Sequence, residues 1–309
     1  MRRRPDDDHV SSTGWFLLGA PWDCSGSGRG EQAAPDALRA AGLSAQVDRD
    51  LGDAATRITS THRDADTGVL ALPDTVRAAR TLTDRLAAAL VDLPRQRPLV
   101  VGGDCSILLG IVPALRARGL VNLWFFDGHP DFLDGAASET GETADMELAV
   151  LTGSGAAPLV QLAGPAPMTP MVPVERVVLL GHRAEDLDDA SAAELARLPP
   201  ELRRIDASAL MTDPATAGER AARWLEQVDP VGQGAWLHLD LDVLDPDALP
   251  AVTYPQSGGP DWEQLTLALT PLIHSPNLLG VSVADFRADL DPTGALAARV
   301  VALLARVLR

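Results

Sequence analysis

The chain has 309 residues, 46% hydrophobic and 22% charged, with 26 basic against 43 acidic side chains and a formal net charge of −17. That balance makes a nucleic-acid surface or an anionic membrane a poor partner, and no apolar run reaches the roughly 18 residues of a membrane span. Two cysteines, Cys24 and Cys105, are too few for a disulfide framework, so a reducing, cytoplasmic setting is expected.

Met1 to Asp8 is basic and then acidic with no apolar stretch, unlike a signal peptide. Residues 1–13 are expected to form a disordered tail and residues 14–309 a single domain. Trp15 to Pro21 reads as a short buried strand ended by Gly and Pro. The glycine-rich loop Ser25 to Gly30 lacks the terminal Gly-Lys-Ser/Thr of a phosphate-binding loop. A helix from Pro35 to Ala41 carries its proline in the first turn, and Thr75 to Leu93 sets apolar residues at helical spacing. Pro98 to Val101 is a second buried strand, broken at Gly102-Gly103 and followed by Asp104-Cys105-Ser106 and a helix from Ile107 to about Arg118. Asp104 and Ser106 read as caps of that helix. Cys105 stays open between a small buried hydrophobe and a ligand.

The chain is organised around Leu123-Trp124-Phe125-Phe126-Asp127-Gly128-His129-Pro130-Asp131. In an extended segment, residues i, i+2 and i+4 line one face, so Asp127, His129 and Asp131 can converge on one point. The competing reading is a loop whose aspartates cap a helix. Phe132 to Asp145 is a polar loop of a length typical of functional loops, and Met146 to Thr152 resumes as helix. Gly164 to Pro173 holds four prolines in ten positions, a stiff surface connection. The strand Arg176 to Gly181 ends in His182-Arg183-Ala184-Glu185-Asp186. Helical stretches to Leu198 and from Thr216 to Val228 lead to the strand Ala235 to Leu241, where Asp240 and Asp242 repeat the alternate-position carboxylates. Helix Trp262 to Ile273, strand Leu278 to Ala284 and helix Ala295 to Val307 close the chain. Strands alternating with helices predict one α/β domain with a mostly parallel sheet and helices on both faces. Polar clusters then sit beyond the carboxyl ends of the strands, where such sheets place their sites.

Asp127, Asp131, Asp240 and Asp242 brought together would repel unless cations neutralised them. The set is too poor in Cys and His for a structural zinc site. Carboxylates with one imidazole, His129, suit manganese, in a pair about 3.5–4 Å apart that makes hydroxide available from water at neutral pH.

Gly102-Gly103-Asp104-Cys105-Ser106, Asp127-Gly128-His129-Pro130-Asp131, and Asp240-Leu241-Asp242 with Leu244-Asp245-Pro246 occur in that order. With them the chain resembles the ureohydrolase superfamily of arginases, agmatinases and formiminoglutamases, from Gly19-Ala20-Pro21 to Asp285. The resemblance implies a three-layer α/β/α fold with an eight-stranded parallel sheet, a binuclear Mn2+ centre, and a homo-oligomer, trimer or hexamer. It implies that Asp127 and Asp240 bridge the metals, that Asp131 and Cys105 complete one, and that His129 and Asp242 complete the other. The family usually has histidine where this chain has Cys105, so that metal is expected to be the looser.

Arginases also carry a proton-shuttling histidine where the run Gly141-Glu142-Thr143-Ala144-Asp145-Met146 has Ala144. Glu142 or Asp145 is left as a substitute, or as a helix N-terminal acid. Asp285 matches, one methylene shorter, the acid that pairs with guanidinium. Asp186 matches the carboxylate that receives the substrate α-amino group, and Ser138 and Thr140 match hydroxyls near the α-carboxylate. Leu133 replaces an asparagine and Tyr254 a threonine. The implied activity is manganese-dependent hydrolysis of a linear guanidino C–N bond, giving urea or a substituted urea and an amine. In it Asp131 relays a proton and Asp285 stabilises the tetrahedral intermediate. The altered ligand and absent shuttle favour a specialised substrate, N-hydroxy-L-arginine, over arginine, agmatine or guanidinobutyrate. The contrasting class is a non-catalytic, metal-binding family member, against which stands the persistence of five of the six usual ligands.

Overall fold

The computed structural model describes residues 14–229 and 232–309, so the expected tail lies outside the described residues. Among the described residues there are eight strands: β1 (Trp15–Ala20), β2 (Arg49–Asp53), β3 (Arg97–Gly102), β4 (Asn122–Phe126), β5 (Val177–Leu180), β6 (Arg203–Ile205), β7 (Ala235–Asp240) and β8 (Leu278–Ala284). They form one sheet in the order β2-β1-β3-β8-β7-β4-β5-β6, parallel at every pairing.

The inner strands alternate between two apolar cores. Phe16, Leu18, Val100, Leu123, Phe125, Val177 and Leu179 enter one; Trp15, Leu17, Leu99, Val101, Trp124, Phe126, Val178 and Leu180 enter the other. Because both faces are covered, the strands read as unbroken apolar runs rather than alternating ones. Helices Leu72–Asp92 and Leu108–Arg116 cover the first face, and Ala34–Ala40, Pro214–Val228, Trp262–Ile273 and Ala295–Val307 the second. The expected three-layer α/β/α architecture is therefore the observed one. Trp262–Ile273 starts where the sequence predicts because Asp261 and Gln264 form a reciprocal capping box, each side chain accepting from the other's backbone N–H.

The four central strands, β3, β8, β7 and β4, are contiguous, although the chain visits β4 before β7 and β8. Leaving β3, it crosses the space that β7 and β8 later fill, and the crevice at such a reversal lies outside the carboxyl ends of the strands. All three sequence motifs end at that edge. Among the described residues no helix is long and apolar enough to cross a membrane.

Candidate active site

Each central strand delivers an acid or thiol as it ends: Cys105 after β3, Asp285 after β8, Asp240 at the end of β7, Asp127 after β4. The break after β3 requires glycine, since a Cβ on Gly103 would meet the Trp22 carbonyl oxygen at 1.5 Å. Asp104 caps, as predicted, accepting from the N–H groups of Ser106 at 3.0 Å and Cys24 at 2.6 Å. The helix it caps is the short 3-10 turn Cys105–Ile107. That commitment leaves Cys105 as the motif's contribution to the site.

Asp131 and Asp285 adopt left-handed backbone conformations, φ 47° and 60°, which non-glycine residues hold only when their surroundings fix them. The Asp131 carbonyl accepts from the N–H groups of Leu148 and Ala149 at 3.2 and 3.3 Å. The Asp285 N–H donates to Gly103 O at 2.8 Å, and its Oδ2 accepts from the Thr253 N–H at 3.0 Å.

Among the described residues, three candidate ligand groups result, each with its donor atoms within 4.8 Å of one another: Cys105, Asp127, Asp131 and Glu147; Asp127, His129 and Asp242; Asp240, Asp242 and Asp285. All six predicted ligands are brought together. Asp127 joins the first two groups, and Asp242 joins the second and third. His129 Nδ1 lies 2.7 Å from Asp242 Oδ2, and the other Asp242 oxygen accepts from the Gly128 N–H at 2.8 Å.

Burial first, and then neighbouring acids, push Asp127, Asp131, Asp240 and Asp285 well above the usual carboxylate range. Asp242 is the exception. Burial would raise it too, but His129, the Gly128 N–H and Arg183 bring it below that range. Among the described residues, Asp127 Oδ2 and both Glu147 oxygens are buried with no hydrogen-bond partner. Unpartnered carboxylate oxygens inside a buried acid cluster are what divalent cations would satisfy, and carboxylate with imidazole is a fitting donor set.

A cavity of about 580 Å³ opens over the cluster, lined by Cys105, His129, Asp131, Asp240, Asp242 and Asp285. The predicted substrate residues reach it unevenly. Thr140 lines it, but its hydroxyl donates to Asp145 Oδ2 at 2.9 Å. Ser138 does not line it: buried, its hydroxyl also donates to Asp145 Oδ2 and accepts from the Gly141 N–H at 2.7 Å, so it shapes the loop. Asp145 lines the cavity, and among the described residues its Oδ1 has no partner. Glu142 is not the free acid that a proton shuttle requires, because Arg29 grips both its oxygens, at 3.0 and 2.8 Å. Asp186 is exposed, in a left-handed turn at φ 53°, and lines a neighbouring cavity that meets the first at Ser191 and Gln256. The turn carries it away from the acid cluster.

Three residues escaped the sequence reading. Glu147 was visible only as an acid beginning an apolar helix. Arg183 donates to the carbonyls of Gly181, Val243, Leu244 and Gln256 at 3.1, 2.8, 3.1 and 2.6 Å, pinning the loop after β7 to the end of β5. Arg29 lies within 3.6 Å of both Asp23 and Glu31 as well as gripping Glu142. Although burial opposes its charge, Glu31 and Glu142 hold this guanidinium protonated more firmly than usual. Arg29→Met strands these acids, and the expected loss is about 3 kcal/mol of unfolding free energy, read from the urea midpoint. A midpoint unchanged from wild type would show that the acids need no counter-charge.

The arginase family model matches residues 14–308. Over 301 residues the chain is 30% identical to an arginase of Brevibacillus brevis, with 94% of this chain and 96% of that one covered. The solved arginase of Bacillus cereus superposes with a TM-score of 0.81 at 26% identity, over 95% of this chain and 98% of that one. For native arginase of Bacillus caldovelox the TM-score is 0.83 at 25% identity, over 96% and 98%. With nearly the whole chain matched and its three motifs converging at one sheet edge, the chain belongs to the arginase family, hydrolases that cleave amidino C–N bonds.

Proposed function

We propose that the chain is a manganese-dependent amidinohydrolase acting on an N-hydroxylated guanidine, N-hydroxy-L-arginine, to give hydroxyurea and ornithine. The observation that carries this reading is Ala144, which lines the cavity with its carbonyl oxygen 3.1 Å from the Cys105 sulfur, at the position where the family resemblance puts an imidazole. A substrate N–OH brings a proton-carrying group of its own into that space. Cys105, Asp127, His129, Asp131, Asp240 and Asp242 would hold two Mn2+ ions, and such ions, when bound, supply an activated water at neutral pH. Asp285 receives the cationic end of the substrate through charge-assisted hydrogen bonds. Asp131 moves a proton to the leaving amine, and Asp145, with Oδ1 uncommitted, exchanges protons at the cavity wall. The same reading carries a cytoplasmic homo-oligomer, a trimer or hexamer, checked by light scattering of the purified protein.

The test is a panel of N-hydroxy-L-arginine, L-arginine, agmatine and guanidinobutyrate with added Mn2+, with urea and hydroxyurea measured. Hydroxyurea release is expected to exceed urea release from arginine by about tenfold or more in kcat/KM, a difference of about 1.4 kcal/mol in transition-state stabilisation. Arginine as the better substrate would make the chain a plain arginase. Turnover of none, with metal bound, would support the non-catalytic reading.

Within the pocket, Asp285→Asn is expected to lower kcat/KM by about 100-fold. Asp186→Ala, whose carboxylate lies in the neighbouring cavity, should change it by less than about threefold. Comparable losses in both variants would return Asp186 to a direct substrate contact.

A further inference from the structure

We infer that Glu147 is a metal ligand that works with Cys105, so that one cation position is held by the thiolate and by the carboxylates of Asp127, Asp131 and Glu147. This rests on the two-metal reading of the site and adds to it a ligand that the sequence motifs do not contain.

Glu147 opens the short helix Glu147–Leu151, every residue of which is buried, and is itself 0% exposed. An acid is costly in such surroundings unless it is neutralised. The fold aims it deliberately: the N–H groups of Leu148 and Ala149 both donate to the Asp131 carbonyl. The first turn of the helix is thereby tied to the backbone of another ligand candidate.

Among the described residues neither Glu147 oxygen has a hydrogen-bond partner, and Asp127 Oδ2, in the same group, has none either. A neutral acid kept for structure would donate its O–H to an acceptor, and an anion kept for structure would have a donor or a basic partner. Among the described residues Glu147 has neither arrangement, and the groups it faces are the acids Asp127 and Asp131 and the Cys105 thiol. Its donor atoms lie within 4.8 Å of those of Cys105, Asp127 and Asp131. That spacing suits four ligands converging on one ion, whose bonds to oxygen and sulfur run to about 2.0–2.3 Å. The Cys105 sulfur lies 3.6 Å from Asp131 Oδ2 and 3.1 Å from the Ala144 carbonyl oxygen. Glu147 approaches through a longer side chain on a separate element, and so completes a coordination shell that a cysteine alone leaves short.

Cobalt is the probe, because a thiolate bound to Co2+ gives a near-ultraviolet charge-transfer band that marks the Cys105 position itself. Metal-free protein is titrated with Co2+ by calorimetry and by absorption. Wild type is expected to take up two ions and develop the band, and Cys105→Ser to lose it. Glu147→Gln, equal in size and uncharged, is expected to weaken binding at the band-reporting position by about tenfold or more and to leave the other position unchanged. Glu147→Asp, which keeps the charge and shortens the reach, should weaken the same position. It serves where the glutamine variant does not fold.

If the Glu147 variants fold and bind with wild-type affinity and an unchanged spectrum, Glu147 is not a ligand. A wild-type protein that binds two ions without a band sensitive to Cys105→Ser overturns the pairing with the thiolate. Wild type that binds no Co2+ overturns the two-metal reading, and this inference with it.

Discussion

Asp127→Ala and Asp240→Ala are each expected to abolish tight metal binding and to lower kcat/KM by at least about 10³, roughly 4 kcal/mol of transition-state stabilisation. The fold should survive both. Asp127 leaves β4 with its N–H bonded to the Leu180 carbonyl at 3.0 Å, a backbone contact that alanine keeps. Asp127 is 1% exposed and joins two of the three ligand groups, so its removal takes a donor from both. Among the described residues its Oδ1 accepts from the His129 N–H at 2.7 Å, and that loss is local. Asp242 also joins two groups, so Asp242→Ala should be no milder than Asp240→Ala. Elemental analysis, beside circular dichroism to verify folding, is the direct check. Wild-type metal content in the Asp127 variant would remove that residue from the metal-holding set.

The sequence was most informative where burial is two-sided. β1, β3, β4, β5, β7 and β8 all read as apolar runs because helices cover both faces of the sheet. The two strands that stayed hidden are its edges, β2 and β6. β2 is Arg-Asp-Leu-Gly-Asp and largely exposed, and β6 has only three residues. Charge and shortness are how edges avoid pairing with other chains, and the same features erase the apolar signal. In the site, ligands carried by one extended segment were legible because alternate side chains share a face. What depended on tertiary approach was not. Glu142 reads as a free acid until the fold brings Arg29 to it across 113 residues of chain. Ser138 and Thr140 occupy the expected positions in the sequence, yet their hydroxyls close on Asp145. Glu147 reads as a helix start, and only its proximity to Asp131, Asp127 and Cys105 shows it otherwise.

Removing the metals with a chelator is expected to lower the melting temperature, and to lower it more at about pH 8 than at about pH 6. In the metal-free fold, Asp127, Asp131, Asp240, Asp285 and Glu147 are all pushed well above the usual carboxylate range, by burial first and by neighbouring acids after it. In the unfolded chain the same groups ionise near pH 4. Between those limits the metal-free fold holds more protons than the unfolded chain, so its stability falls as pH rises. Their contribution is fully present below the unfolded pKa and is lost as pH climbs through the folded values. Asp242, lowered mainly by His129 against the effect of burial, acts in the opposite sense. Its contribution is lost only as pH falls through a folded pKa already below the usual range, outside this window. Cations change the balance because they bind the ionised carboxylates in competition with protons, so their hold tightens as pH rises. At free metal about 1,000-fold above Kd the stabilisation is about 4 kcal/mol. For a domain of this size that corresponds to a shift on the order of 10 °C. Melting curves with EDTA and with Mn2+ at the two pH values measure the gap. A gap that narrows toward the higher pH would show that the buried acids are neutralised by something other than bound cations.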